Sequence, residues 1–365
     1  MAKYFIIAGE ASGDTHAASL ITQIKQRDAQ AQFIGLGGDH MVAAGCRLYQ
    51  HISHMAFMGI VAVVRNAGQV RRNFRIAQEA LLAERPDALI LVDYPSFNLQ
   101  MASFCRKHLP QTKIYYYIPP KVWAWKRRRI HRIARLCDEV LGIFPFEPDF
   151  YAQYGYRCTY VGNPTAEQLK TSVKPRTKSR IISVLPGSRL DEVRCCLPRM
   201  LEAARRFSDY QIVVCAAPGI EDAFYRSYLQ QGETLTRDTY EALQQAQAAI
   251  VNSGTATLEA ALLRCPQVAV YHLAGSWLIG LIRWIQPLLF SIKHFTPVNI
   301  VAGKEVIKEC IANDFTVEKV ADELGRLLTD ETYKKEMLAS YEHLASILGS
   351  QPASAKAAEI ITSKR

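Results

Sequence analysis

Residues 3–27 read KYFIIAGEASGDTHAASLITQIKQR: a short apolar run rich in Phe and Ile, a glycine turn, then a helical pattern. An apolar run of this length closed by Gly9 reads as a buried strand, and the segment after the turn reads as the helix that crosses back over it. The alternation recurs down the first half of the chain. QFIGL precedes DHMVAAG, DALILVD precedes FNLQMASFCRKH, KIYYYI precedes RRRIHRIARL, and EVLGIF precedes EPDFYAQY. Strand, helix and strand at this spacing predict a parallel sheet with crossover helices, hence a doubly wound domain.

The stretch PTAEQLKTSVKPRTKSR (164–180) lacks either period and carries prolines, so residues 166–180 are expected to be a linker. A second α/β unit follows, with strands RIISVL, YQIVVC, AAIVN and QVAVY and helices LPRMLEAARRF, EDAFYRSYLQQ and TATLEAALL. From Thr316 onward the pattern is helical. The expected organisation is α/β with two doubly wound Rossmann-like domains, residues 1–165 and 181–335, a cleft between them, and C-terminal helices (336–365) packing back across the domains. The length of 365 residues, 49% of them hydrophobic, suffices for two cores. Open parallel sheets bind ligands beyond the carboxyl ends of their strands, so chemistry is sought in the loops that follow strands.

The 44 Lys and Arg against 34 Asp and Glu give a net charge of +10, which favours phosphates, nucleic acid or an acidic lipid surface as partners. Nine cysteines, odd in number and scattered without a CxxC pair, suggest neither a disulfide framework nor a zinc site and fit a reducing cytoplasm. The N-terminus reads as a core strand, not a signal peptide. The most apolar later stretch, SWLIGLIRWIQPLLFSIKHF (276–295), is interrupted by Arg283 and Pro287 and falls short of the roughly 20 apolar residues a spanning helix needs. Its Trp277, Trp284, Arg283 and Lys293 suit a segment in the headgroup region; a buried helix with a proline stop is the other reading.

Four loops carry candidate chemistry. AGEASGD (8–14) supplies Gly9 and Gly13 for tight turns, Glu10 and Ser12 as acceptor and donor, and Asp14 or Thr15 as a cap for the next helix; it is neither GxGxxG nor a P-loop. In LILVDYPSFN, Asp93 ends a wholly apolar strand, where partial desolvation raises a carboxylate toward the range of a general base, while Ser96 is placed to cap a helix starting near Phe97. In VLPGSRLDEV, backbone N–H groups, the Ser188 hydroxyl and the Arg189 guanidinium can converge on a phosphate. In AIVNSGTATLEAALL, the turn Ser253, Gly254, Thr255 opens a helix with Glu259 one turn in, placed to accept from a ribose hydroxyl. Two anion-binding turns in one domain point to a nucleoside diphosphate. Neither a DxD pair nor an HExxH motif is present, so no metal or other cofactor is expected.

AGEASGD (8–14), MGI (58–60), the Asp93 strand end, VWAW (122–125), FPFE (144–147), LPGSR (185–189), SGTATLE (253–259) and PVNIVAGKEVIKE (297–309) together resemble the lipid-A-disaccharide synthases, inverting glycosyltransferases of the two-domain GT-B fold. The resemblance runs over nearly the whole length. It implies transfer of a diacylglucosamine unit from UDP-2,3-diacylglucosamine to the 6-hydroxyl of 2,3-diacylglucosamine 1-phosphate, forming the β-1,6 disaccharide and UDP. It matches Asp93 to the family's candidate general base and Arg189 to its required arginine. It further implies Glu10 and Ser12 on the acceptor side and Asn299 and Glu305 on the UDP side. Lys121 and Arg127, Arg128 and Arg129 are then expected near the acceptor phosphate, with Trp123 and Trp125 against apolar surface or acyl chain. Ser96 and Asn163 stand where many relatives carry Asp and His, so neither takes the family's role there. The implied partners are the two acylated substrates and an anionic membrane surface, with peripheral placement on the inner face of the cytoplasmic membrane; a homodimer is left open. Another UDP-amino-sugar glycosyltransferase or an epimerase would use the same turns. Nucleic acid is disfavoured because Ile130, Ile133, Ala134 and Leu136 turn the basic run into a crossover helix.

Overall fold

The computed structural model describes residues 1–55, 67–123, 127–170, 179–272, 294–349 and 351–363. The chain divides into two units, Met1–Pro164 with Ser350–Arg365, and Thr165–Gly349.

In the first unit the apolar runs become β1 (Lys3–Ala8), β2 (Gln32–Gly37), β4 (Ala88–Val92), β5 (Lys113–Tyr117) and β6 (Glu139–Gly142), joined by two edge strands, β3 (Arg47–His51) and β7 (Thr159–Tyr160). All neighbours pair in parallel, in the order β3-β2-β1-β4-β5-β6-β7. Every residue of β4 is buried, as expected of a central strand covered on both faces, which is why its sequence does not alternate. The chain starts in the middle of the sheet, lays β2 and β3 to one side, then returns to place β4 on the other. The order therefore reverses between β1 and β4, and the crevice for a ligand opens where their carboxyl ends diverge. The edge strands escape the sequence reading because RLYQH is mostly polar and β7 has two residues.

The second unit repeats the plan with β8 (Ile181–Leu185), β9 (Gln211–Cys215), β10 (Thr234–Thr236), β11 (Ala248–Asn252), β12 (Gln267–Tyr271) and β13 (Glu309–Ile311) in the order β10-β9-β8-β11-β12-β13. Here the reversal lies between β8 and β11. The three-residue strands β10 and β13 are too short to show a period.

Three expectations change. Pro164–Leu169, which overlaps the expected linker, is a helix, while 171–178 lies outside the described residues. The tail is split: the helix Glu331–Leu348, capped by the Asp330 carboxylate on the Tyr333 N–H at 2.9 Å, belongs to the second unit, and the helix Ala353–Ser363 returns to the first and packs on Ala11–Arg27. Gly162, at φ 99°, permits that return, because a β-carbon there would sit 2.4 Å from the Gln351 carbonyl oxygen. Finally, Asp14 does not cap its own helix. Its buried carboxylate accepts from the backbone N–H groups of Gly38 (2.8 Å), His40 (3.0 Å) and Met41 (3.1 Å) at the start of the helix Asp39–Ala43. Among the described residues no helix is long and apolar enough to cross a membrane; most of the 276–295 segment lies outside them.

Candidate functional site

In the first unit, AGEASGD follows β1 and Asp93 follows β4, so these loops flank the reversal point. They also touch. A β-carbon on Gly9 would fall 2.3 Å from the Tyr94 ring, and the glycine is what lets the aromatic side chain lie there. Asp93 (φ 45°) and Tyr94 (φ 46°) are both left-handed, a conformation that costs roughly 1–3 kcal/mol per non-glycine residue and persists only where neighbours enforce it. Three side chains do so. The Tyr116 hydroxyl donates to the Asp93 carbonyl at 2.9 Å, the buried Asn98 amide donates to the same oxygen at 2.6 Å and to the Val92 carbonyl at 3.2 Å, and the Tyr94 hydroxyl donates to the Met55 carbonyl at 2.9 Å.

The two left-handed residues turn the chain within one step of the strand end, and the helix Pro95–His108 starts at once with Pro95 at a position that needs no N–H. Ser96 thus falls inside the first turn and caps nothing; its hydroxyl lies 3.4 Å from Arg129, which donates to it. Asp93 is left half-buried at the tip of the sheet. Burial pushes its carboxyl pKa up, opposed by the Lys121 charge and the Tyr94 backbone N–H. A carboxylate raised in this way is suited to take a proton. Glu10 is the N-cap residue of the helix Ala11–Arg27 and Ser12 is exposed in its first turn, both at the same end of the sheet.

The aromatic and basic run separates. Lys121 lies at the loop surface with its ammonium pKa lowered, desolvation being the largest cause, opposed by the Asp93 and Glu147 carboxylates. Arg127 and Arg128 are exposed and Arg129 is half-buried. Trp123 departs from expectation: it is buried, its indole donating to the Glu147 carboxylate at 3.2 Å and its ring edge-on to Phe144 and Phe146, so it packs beneath the loop and offers no surface to an acyl chain. Trp125 and the MGI segment lie outside the described residues.

In the second unit, Gly187-Ser188-Arg189 follows β8 and Asn252-Ser253-Gly254-Thr255 follows β11, again flanking the reversal. Gly187, at φ 117°, would with a β-carbon meet the Asn252 amide nitrogen at 2.5 Å and the Glu192 carboxylate at 2.8 Å, so the two turns lie against each other. Ser188, Arg189 and Thr255 are exposed and Ser253 and Gly254 partly so. Arg189 is the N-cap residue of the helix Leu190–Ala204, held by Glu192 at 2.6 Å. Glu259 lies beside a pocket of about 560 Å³ that it lines together with Arg237, Asp238, Thr239 and Tyr240. Burial pushes its carboxyl pKa up and the Tyr240 hydroxyl, 3.5 Å away, opposes this.

Asn299 also departs from expectation. It is completely buried and its amide is used up: the nitrogen donates to the Ile307 carbonyl (2.8 Å) and Glu309 (2.9 Å), and the oxygen accepts from Val306 (2.8 Å) and Ile307 (3.0 Å). No donor remains for a ligand, so Asn299 shapes the loop and does not reach out of it. Glu305 is exposed on that loop, 3.3 Å from Lys308.

Asp93 stands out in the sequence, but the groups that hold it do not. Tyr116 and Asn98 look like ordinary members of a strand and a helix, and only polar tips inside apolar runs signal them. Glu147 stands within FPFE with no role legible from its neighbours. It is 1% exposed, accepts from the backbone N–H groups of Ile143 (2.7 Å) and Phe144 (2.9 Å) as well as from Trp123, and burial raises its pKa to about 7.

The family Lipid-A-disaccharide synthetase matches residues 4–362. The chain is 34% identical to the lipid-A-disaccharide synthase of Geobacter sulfurreducens, with 98% of this chain and 96% of the relative covered. It is 34% identical to that of Myxococcus xanthus over the same shares, and 33% identical to that of Koribacter versatilis over 100% of this chain and 98% of the relative. Among solved structures, the fold is similar to a UDP-GlcNAc 2-epimerase of Methanocaldococcus jannaschii in complex with UDP-GlcNAc and UDP (TM-score 0.64, 12% identity, 99% of each chain). It is also similar to the calicheamicin glycosyltransferase (TM-score 0.61, 14% identity, 100% of this chain and 98% of that one). These structural likenesses establish the GT-B fold, and the sequence relationships establish more: the chain belongs to the lipid-A-disaccharide synthase family, glycosyltransferases that make the lipid A disaccharide.

Proposed function

We propose that the protein transfers diacylglucosamine from UDP-2,3-diacylglucosamine to the 6-hydroxyl of 2,3-diacylglucosamine 1-phosphate, with inversion, and that Asp93 is the general base. The observation that carries the assignment is the enforced left-handed pair Asp93–Tyr94 at the reversal point, a strained backbone that holds a half-buried carboxylate at the strand end. Asp93 takes the acceptor proton as the 6-oxygen attacks C1 of the donor; the bond from C1 to the diphosphate breaks and UDP leaves with the electron pair. The transition state is oxocarbenium-like. Arg189, Ser188 and the turn Ser253–Thr255 stabilise the charge that develops on the departing diphosphate, which removes the need for a metal or other cofactor. The pocket beside Glu259 suits the nucleoside, with that carboxylate on a ribose hydroxyl.

Lys121 and the exposed Arg127 and Arg128 suit the acceptor phosphate, Glu10 and Ser12 the acceptor sugar, and Glu305 the nucleotide. Arg71, Arg72 and Arg75 are exposed on the helix Ala67–Glu84; it packs beside the helix Pro95–His108, which packs beside Arg129–Leu136. This cationic display supports peripheral contact with an anionic membrane on its cytoplasmic face.

The test is incubation of the purified full chain with the acylated donor and acceptor in detergent, with mass detection of the disaccharide 1-phosphate. Product is expected with the acylated donor. Comparable turnover of unacylated UDP-N-acetylglucosamine would favour the soluble-sugar reading instead. Asp93→Asn should lower kcat by about 10²–10⁴, and near-full turnover would remove Asp93 from its role.

A further inference from the structure

Glu147 is a fully buried carboxylate that no step of the transfer uses. Burying such a group is costly, and it is usually tolerated only where each lone pair is matched. Here the match is directional. Oε2 accepts from Ile143 and Phe144, the first residues past β6, and Oε1 accepts from the Trp123 indole in the loop past β5. One carboxylate thus ties together two successive strand-end loops. The site is built to admit it: Gly142 leaves room, since a β-carbon there would sit 2.7 Å from Oε2, and the buried Asn163 amide donates to the Ile143 carbonyl at 3.3 Å, holding the turn from its other side. Phe144 and Phe146, stacked 5.7 Å apart, lie nearly perpendicular to the same indole.

Lys121 stands two residues before Trp123, on the segment that this clamp fixes, and its ammonium feels both Asp93 and Glu147. The remaining titratable groups acting on Glu147's surroundings are Tyr151 and Cys158, both raised by burial and by the Glu147 charge. We propose that Glu147 is a positioning residue for the transfer reaction: by clamping Trp123 to the 143–144 turn it fixes the loop that carries Lys121, which leaves the strand end next to the one that carries Asp93. Glu147 does not touch substrate. Its effect passes through Lys121 to the base, and the inference rests on the assignment of Asp93 made above.

The test uses the full chain as wild type, Glu147→Gln and Trp123→Phe. Glu147→Gln removes the charge at nearly constant shape; Trp123→Phe removes the indole donor and keeps the aromatic packing. Reductive ¹³C-methylation of lysines, with the Lys121 signal assigned from a Lys121→Arg variant, gives the Lys121 titration directly. Glu147→Gln should move that titration down by about one pH unit, and should lower kcat by about tenfold or more with the donor KM changed less than about threefold. Trp123→Phe should lower kcat in the same pattern by a smaller factor, so the inference stays testable if the Gln variant does not fold. An unmoved Lys121 titration, or activity lost only in proportion to the fraction of folded protein, overturns the inference. Lack of turnover by the wild type with the acylated pair would instead sink the transferase reading, and full activity of Asp93→Asn would sink the base assignment, while the Lys121 titration reads the clamp independently of both.

Discussion

Glu147 also gives the protein a pH-dependent stability whose size follows from its burial. Its carboxyl pKa is raised from an ordinary 4.5 to about 7, burial being the largest cause, opposed by the Phe144 N–H, the Trp123 indole, the Ile143 N–H and the Lys121 charge. The folded state therefore holds a proton that the unfolded chain releases between pH 4.5 and about 7. A raised carboxyl pKa contributes stability that is fully present below 4.5, declines as the pH rises through 7, and is absent above. A tenfold difference in proton affinity between folded and unfolded states corresponds to about 1.4 kcal/mol, so the swing from this group is about 3 kcal/mol. Glu147→Gln cannot titrate and removes the swing. In urea titrations from about pH 4.5 to about 8, the stability of the wild type relative to Glu147→Gln should fall by about 3 kcal/mol, with most of the change between about pH 5 and about 7. Because the chain has two units, local protection of the Ile143 and Phe144 amides against hydrogen exchange should be followed in parallel. A difference between the two proteins that stays flat over this range would refute the reasoning, since it would mean that the carboxylate is ionised in the folded protein throughout.

Gly187→Ala should weaken binding of UDP by about tenfold or more, because the new β-carbon meets both Asn252 and Glu192 and the residue must also hold φ 117°. Calorimetric titration with UDP checks this, and an unchanged Kd would show that the turns do not hold the diphosphate. Tyr116→Phe removes one of the two side-chain donors to the Asp93 carbonyl; it should cost roughly 1 kcal/mol in stability and lower kcat several-fold at nearly constant KM, measured by denaturation and by steady-state rates. A variant as active and stable as the wild type would mean that Asn98 alone enforces the turn.

Much of the fold is legible along the chain because a strand buried on both faces must be apolar throughout. β1, β2, β4, β5 and β6 in the first unit, and β8, β9, β11 and β12 in the second, announce themselves in this way, as do the glycine turns after β1 and β8. Edge strands carry no such mark, and β3, β7, β10 and β13 emerge only in the folded chain. The same holds for the sites. Asp93 is conspicuous as the first charge after five apolar residues, and Ser188 and Arg189 as polar residues in a strand-to-helix turn. Trp123 and Asn299 read as ligand-facing because a sequence does not tell which way a side chain points; one is a buried packing residue and the other is spent on its own loop.

The sequence by itself determined the two parallel-sheet units, the loops in which chemistry is sought, and the family. Tertiary structure alone decided what those loops are made to do. Strand order put the β1 and β4 ends, and the β8 and β11 ends, side by side at the two reversal points, a placement that depends on pairing between segments 84 and 66 residues apart and on no local signal. It also supplied the hydrogen bonds from Tyr116, Asn98 and Tyr94 that force Asp93 and Tyr94 into a left-handed turn, and the burial that raises Glu147. Backbone strain and desolvation are properties of surroundings, and the surroundings of a residue exist only once distant parts of the chain have packed against it.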